Sequence, residues 1–272
     1  MILSSFQGPA AELIESRVLT PDLNGFNIFL DICLGLREYL NMFKSATQTE
    51  KGELTRNTIL ERALQSFRDK GFEATTMRDV ANQAGVALGD YFDSKDAIVM
   101  GFYERSQQHL APLLDQALSS AKGLHDLLRA VIQVKLEYFA ADRKLMGALS
   151  AHIDPHHPLS PFSEETRCIR DQDIGFFSRA VEGGKVRVPG DLKVHLPRVL
   201  WLYQMGLILF WVYDSSPKQV RTMKLFDKSL AIVVALIKLS SFPLLRPVRQ
   251  LATGLLEIAY GEDGLDAGES AS

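Results

Sequence analysis

The 272-residue chain has only two cysteines, Cys33 and Cys168, far apart in sequence. They offer no disulfide framework, and two lone thiols suit a reducing, cytoplasmic setting. Basic residues are not in excess. Against 33 Asp or Glu stand 30 Lys or Arg, a formal charge of −3. Bulk charge therefore gives no reason to bind a polyanion, and any such activity must rest on a local site. The first Lys or Arg is Arg17, so the N-terminus lacks the basic segment of a secretory signal. The most apolar runs, residues 199–213 and 230–239, fall short of the roughly 20 residues of a spanning helix. They read as buried core helices, with no membrane partner. The sequence also lacks a glycine-rich phosphate loop and the G-x-S-x-G elbow of a hydrolase. No cofactor is implied, and the chain does not read as an enzyme.

What is present is helical. No segment alternates apolar and polar residues with the period of a strand. The apolar content of 46% is enough to build a core without disulfides or metals. Residues 1–50 form an extension of mixed character, in which 26–43 is apolar enough for a helix but without a clean face. From Leu54 to about Tyr103 the segments are short and sharply punctuated. Longer helical patterns follow to about Tyr260, broken near Pro112, at Asp154–Pro158, at Gly183 and Gly184, at Pro189 and Gly190, at Pro217 and at Pro243. Residues 261–272 are small and acidic and read as a disordered tail.

Residues 51–98 carry the most specific pattern. From Thr55, the residues Ile59, Leu60, Ala63, Leu64 and Phe67 recur on one helical face, and Lys70 followed by Gly71 is a helix stop. Thr76 and Asp79 have the spacing of a capping box, opening a second helix lined by Met77, Val80, Ala81 and Ala84. Gly85 permits the positive φ of a tight turn, and small Ala81 lets two helices approach. Val86 would plug the core beneath. A third helix is expected from Ala87 or Leu88, and a fourth from a cap at Ser94. These are the parts of a helix-turn-helix.

The run Thr55-Arg56, Ile59-Leu60, Ala63, Phe67, Gly71-Phe72, Ala74-Thr75-Thr76, Asp79-Val80-Ala81, Ala84-Gly85-Val86, Gly89, Tyr91-Phe92 and Ser94-Lys95 resembles the N-terminal domain of the tetracycline-repressor (TetR) family. The resemblance implies an all-α fold: a three-helix helix-turn-helix DNA-binding domain at 51–98, then a larger helical ligand-binding and dimerisation domain at 99–260. It implies a homodimer on a double-stranded DNA operator, usually as a repressor, released by a small-molecule effector. By position, Arg56, Thr75, Thr76, Tyr91 and Lys95 match phosphate-facing residues, and Leu88, Gly89 and Asp90 match the base-facing helix.

The chain departs from the family at one place. The family has about six residues from the glycine matching Gly89 to the phenylalanine matching Phe92; here the step is three, nearly one helical turn less. From Lys51 to Arg105 there are eight Lys or Arg and nine Asp or Glu, so counterion release would be weak. A second reading follows, a helical ligand- or partner-binding protein whose sequence-specific DNA binding is impaired.

In the second domain, residues 196–213 are apolar nearly all round and 218–239 form another long apolar helix. The resemblance implies that such a pair meets its symmetry mate in a dimer; the alternative is the inner core of a monomer. An effector pocket is expected among the central helices, lined by His125, Tyr138, Phe139, Met146, Phe176 and Phe177, with Trp201 and Tyr203 behind. Aromatic residues at such spacing also serve as plain core. His152, Asp154, His156 and His157 have metal-ligand character, but Pro155 and Pro158 interleave them and the stretch reads as an interhelical loop, not a metal site. Arg246, Arg249 and their apolar neighbours could form a short amphipathic segment touching a membrane, but they read rather as a surface helix covering the core.

Overall fold

The computed structural model describes residues 50–89 and 91–260, which form ten α-helices and no strand. The extension with its 26–43 segment, Asp90 and the tail 261–272 lie outside the described residues. Helix α1 (Glu50–Lys70) begins upstream of Thr55 and buries Ile59, Leu60, Ala63, Leu64 and Phe67 completely. Its stop is the expected one: Gly71 takes φ 90° and its N–H donates to the Phe67 carbonyl at 3.0 Å. Helix α2 (Met77–Ala84) opens with the full capping box, the Thr76 hydroxyl accepting from Asp79 N–H while Asp79 accepts from the Thr76 N–H. It closes on Gly85 at φ 67°.

Helix α3 (Lys95–Ser120) starts at the Ser94 cap and runs straight through Pro112, where the sequence pattern had suggested a break. An interior proline costs about 3 kcal/mol. Leu110 and Leu114 on either side are buried, and their packing outweighs that local cost. The 98/99 domain boundary expected from sequence therefore falls inside a continuous helix.

The bundle continues with α4 (Gly123–Tyr138), a 3-10 turn (Phe139–Asp142), α5 (Arg143–Leu149), α6 (Arg167–Gly183), α7 (Gly190–Lys193), α8 (Leu196–Tyr213), α9 (Val220–Leu239) and α10 (Arg246–Tyr260). Helix α4 packs on α3, α6 and α9, and α8 packs on α5, α6 and α9. At Gly184 an added Cβ would lie 2.8 Å from Leu124 Cβ, so only glycine lets the end of α6 meet the start of α4. Asp214 holds the α8–α9 turn by accepting from Thr222 Oγ1 at 2.6 Å and from the Thr222 and Ser216 amides, both at 2.9 Å.

There are two apolar cores. One lies within the bundle; the other joins α1, α2 and the first turns of α3 to Leu145, Leu149 and Leu159. Phe139 packs against both.

Helices α8 and α9 are two-faced. Trp201, Leu207 and Trp211 of α8 and Phe226, Leu230 and Ile237 of α9 face the core. Leu202, Leu209, Phe210 and Tyr213 form an exposed stripe on α8; Leu225, Ile232, Leu236 and Leu239 form one on α9. At 18 residues, α8 is long and apolar enough to cross a membrane, although its inner face is core. Helix α10 lies on the surface with its apolar side turned away from the core. Its inward contact is polar: Arg249 Nε donates to Asp191 at 2.8 Å and Thr253 is buried. Val248, Leu251, Leu255 and Ile258 point outward.

Candidate nucleic-acid interface and candidate ligand cavity

Among the described residues between Gly85 and Ser94, the expected third helix is not formed. The Tyr91 and Phe92 amides both donate to the Leu88 carbonyl at 2.8 Å, which makes a single turn. Eight residues, 86–93, separate Gly85 from Ser94, and with both caps to be formed they leave room for little more than one turn. Both ends of that turn are anchored inward, Leu88 at 7% exposure and Phe92 at 3%. Leu88 is thus a core residue and not a base-facing one: with the turn shortened, its side chain is needed to close the hydrophobic base of the motif. Gly89 is exposed and Tyr91 half-buried. Among the described residues of the turn, only Tyr91 has a side chain able to hydrogen-bond a base edge.

The expected phosphate-facing groups are largely engaged within the protein. Thr75 is buried, and its hydroxyl donates to the Gly71 carbonyl at 2.8 Å. This corrects its assignment to the surface, because the segment between α1 and α2 needs that bond to fold back. Thr76 is exposed, but its hydroxyl is held in the capping box. Lys95 gives its ammonium to the Phe72 carbonyl at 3.0 Å and lies 4.5 Å from the centre of the Phe72 ring. Arg56 lies 4.9 Å above the Phe92 ring and 3.5 Å from Glu104. A Cβ at Gly101 would approach both Arg56 and Phe92 at 3.1 Å, so glycine there makes room for the stack.

In the bundle, α3, α4, α6 and α8 line a mainly apolar, half-open cavity of about 120 Å³. Phe139, Met146 and Trp201 line it as expected. The other five residues expected there do not. His125 is half-buried beside Asp126; Tyr138 bonds His109; Phe176 and Phe177 are buried core; Tyr203 bonds Ser229 at 2.7 Å. The inner wall is instead polar and buried. Ser106, Lys135 and Gln204 are 2%, 3% and 1% exposed, with Gln107 and Asp173 beside them. Lys135 Nζ stands 2.9 Å from Asp173 Oδ2, a charge pair whose angles do not make it a hydrogen bond. Side-chain atoms of Ser106, Gln107, Lys135 and Gln204 have no hydrogen-bond partner. Each such group costs about 1–3 kcal/mol. Burial also pushes the Tyr103 phenol, on the same wall, above its usual range.

One contact ties the two regions together. Arg68, in the last turn of α1, grips Asp142 through Nε–Oδ1 at 2.7 Å and Nη2–Oδ2 at 3.1 Å. Asp142 ends the 3-10 turn that begins at the cavity residue Phe139.

Comparison with known proteins matches both regions separately. The family described as "Bacterial regulatory proteins, tetR family" matches residues 59–100, and "Tetracyclin repressor-like, C-terminal domain" matches residues 128–255. The chain belongs to the TetR family. As a TetR-family transcriptional regulator it joins a DNA-binding domain to a ligand-binding domain. A curated relative, the HTH-type transcriptional repressor KstR2 of Rhodococcus jostii, is 24% identical over 147 residues, covering 52% of this chain and 71% of the relative. The structure of Salmonella enterica GusR shares the fold with a TM-score of 0.52 at 20% identity, covering 70% of this chain and 98% of that one. A TetR-family regulator from Syntrophomonas wolfei gives a TM-score of 0.51 at 20% identity, covering 66% and 96%.

The TetR-type motif run did not reveal the polar wall of the cavity, but the periodicity could have. On α4 the buried stripe is Leu128, Val131, Ile132, Lys135 and Leu136; on α8 it is Leu200, Gln204, Leu207 and Trp211. A lysine and a glutamine at core positions of otherwise apolar stripes mark a site that something polar must satisfy.

Proposed function

We propose that the chain is a cytoplasmic, homodimeric repressor that binds an operator through the α1–α2 region and is released when a small molecule enters the bundle cavity. The observation that carries this reading is the physical link between the two: Phe139 lines the cavity and packs on both cores, and Asp142 in the same turn holds Arg68 of α1. A ligand that shifts the 3-10 turn would bias the angle of the helix-turn-helix. The exposed apolar stripes of α8 and α9 support a twofold four-helix interface. Thr76, Gly89 and Tyr91 are the exposed or half-buried positions through which it would touch DNA, with Arg56 and Lys95 at the flank.

The single turn at 88–92 favours a second reading, a TetR-like ligand or partner binder with little sequence discrimination. Footprinting on the protein's own upstream DNA, with sedimentation velocity on the same sample, separates the two. A dimer protecting one discrete stretch supports the repressor. A dimer protecting none supports the second reading, and a monomer contradicts both. Leu236→Asp, in the exposed α9 stripe, should convert the dimer to monomer while leaving the helical content unchanged.

A further inference from the structure

The cavity polar wall specifies the chemistry of what fills it. This rests on the effector reading above and goes further, to the class of ligand. Among the described residues, five buried side-chain atoms lack a hydrogen-bond partner, and four of them, on Ser106, Gln107, Lys135 and Gln204, belong to this one cavity. Such clustering is not what a filled apolar core shows, since buried polar groups are otherwise paired.

The unpaired atoms are of both kinds. Gln107 and Gln204 each leave an amide oxygen, which can only accept; Lys135 Nζ can only donate; the Ser106 hydroxyl can do either. The Gln107 amide orientation is set by its Nε2, which donates to Asp173 Oδ1 at 3.4 Å. A complementary group must therefore both donate and accept. Charge narrows the choice. Lys135 is already paired with Asp173 at 2.9 Å, and half-buried Arg170 turns one nitrogen to the Pro161 and Ser163 carbonyls while keeping its charge. A carboxylate would gain Arg170 but would face Asp173 and two amide oxygens with no proton to offer them. An ammonium would face Lys135. A ketone would accept from Lys135 and leave both glutamine oxygens bare. A hydroxyl meets both demands.

Size sets the rest. An engineered apolar cavity of about 150 Å³ holds one benzene. The cavity here is about 120 Å³ and otherwise walled by apolar side chains such as Leu110, Phe139, Met146 and Ile208. We infer that the cavity binds a neutral, compact hydrocarbon alcohol, its hydroxyl donating to Gln204 and accepting from Lys135.

The test uses the full-length protein and four probes of one skeleton: cyclohexanol, cyclohexanone, cyclohexanecarboxylate and methylcyclohexane. Saturation-transfer NMR gives their relative affinities. Cyclohexanol is expected to bind at least about tenfold more tightly than any of the others. Gln204→Leu removes one acceptor without leaving a new orphan, so the fold should survive, and the preference for alcohol over ketone should fall to near unity. Ser106→Ala serves as a second variant, expected to narrow the same preference. Tightest binding by the carboxylate, an alcohol preference that persists in Gln204→Leu, or no binding by any probe would overturn the inference. Adding each probe to the footprinting reaction keeps the two claims apart. Alcohol binding without release of DNA upholds the ligand class and sinks the effector reading. Release by the carboxylate alone does the reverse.

Discussion

In the helix-turn-helix, Asp79 accepts from both Lys70 and Thr76, Thr75 bonds the Gly71 carbonyl, and Lys95 bonds the Phe72 carbonyl. In the bundle cavity, Ser106, Gln107 and Gln204 keep atoms without a hydrogen-bond partner, and Lys135 has only its charge pair with Asp173. Both regions have fully buried apolar cores, so the difference is not one of folding quality. A surface that meets DNA can spend its polar groups on its own shape and still offer amides and a few free side chains to phosphate. A cavity that must recognise a small molecule has to hold donors and acceptors open, and it carries that cost in the fold. The helix-turn-helix thus satisfies its polar groups within itself, and the cavity does not.

Lys135→Met would strike this contrast hardest. It leaves Asp173 without its charge partner in a largely buried site, and a loss of about 3 kcal/mol is expected in urea unfolding. The double variant Lys135→Met with Asp173→Leu should recover most of it, because the pair as a whole is not a net stabiliser. No recovery would mean that the two residues are not coupled.

Leu88→Ala comes next. As a core residue it should cost about 2–4 kcal/mol. A base-reading surface residue would change stability by less than about 0.5 kcal/mol, so the same melt decides where the side chain lies. Arg68→Ala breaks a two-bond contact with a buried carboxylate and should cost about 1.5–3 kcal/mol. It should also weaken the effect of any cavity ligand on DNA binding; unaltered coupling would remove Arg68 and Asp142 from the link.

Thr76→Ala removes the α2 cap and should cost about 1 kcal/mol. The smallest effect concerns pH. The Thr76 hydroxyl, then its amide and Lys70, hold Asp79 well below the usual carboxylate range, and the Thr222 hydroxyl does the same for Asp214. A carboxyl with a lowered folded pKa adds stability that is complete above its unfolded value, about 3.9, and fades as pH falls below it. Melting temperature should therefore drop from about pH 4 downward, and Thr222→Val should flatten that drop.

Much of this fold was legible. The α1 face, the capping box at Thr76, the glycine stop at Gly85 and the Ser94 cap all follow from local chemistry, and the structure shows each one. Pro112 was misread because a local rule gave way to packing on both sides of it. The missing third helix was half legible: the short Gly89–Phe92 step was visible, but not that Leu88 would turn inward to close the core. The cavity was least legible, since Phe176 and Phe177 on α6 differ from Phe139 only in which neighbours meet them, and that is tertiary information. The apolar outer face of α10 shows the same limit: periodicity gives a stripe, not the side that is covered.

The central claim is that a reader reduced to one turn still discriminates DNA. The measurement that meets it most directly is the ratio of affinities for the upstream DNA and for random DNA, followed across salt concentration. A specific site is commonly bound about 10³-fold or more above random DNA. With Tyr91 as the one described side chain of the turn able to read a base, and eight basic against nine acidic residues from Lys51 to Arg105, a ratio near 10² with a shallow salt slope is expected. A ratio of one at every salt concentration would contradict the account and leave a sensor without a reader.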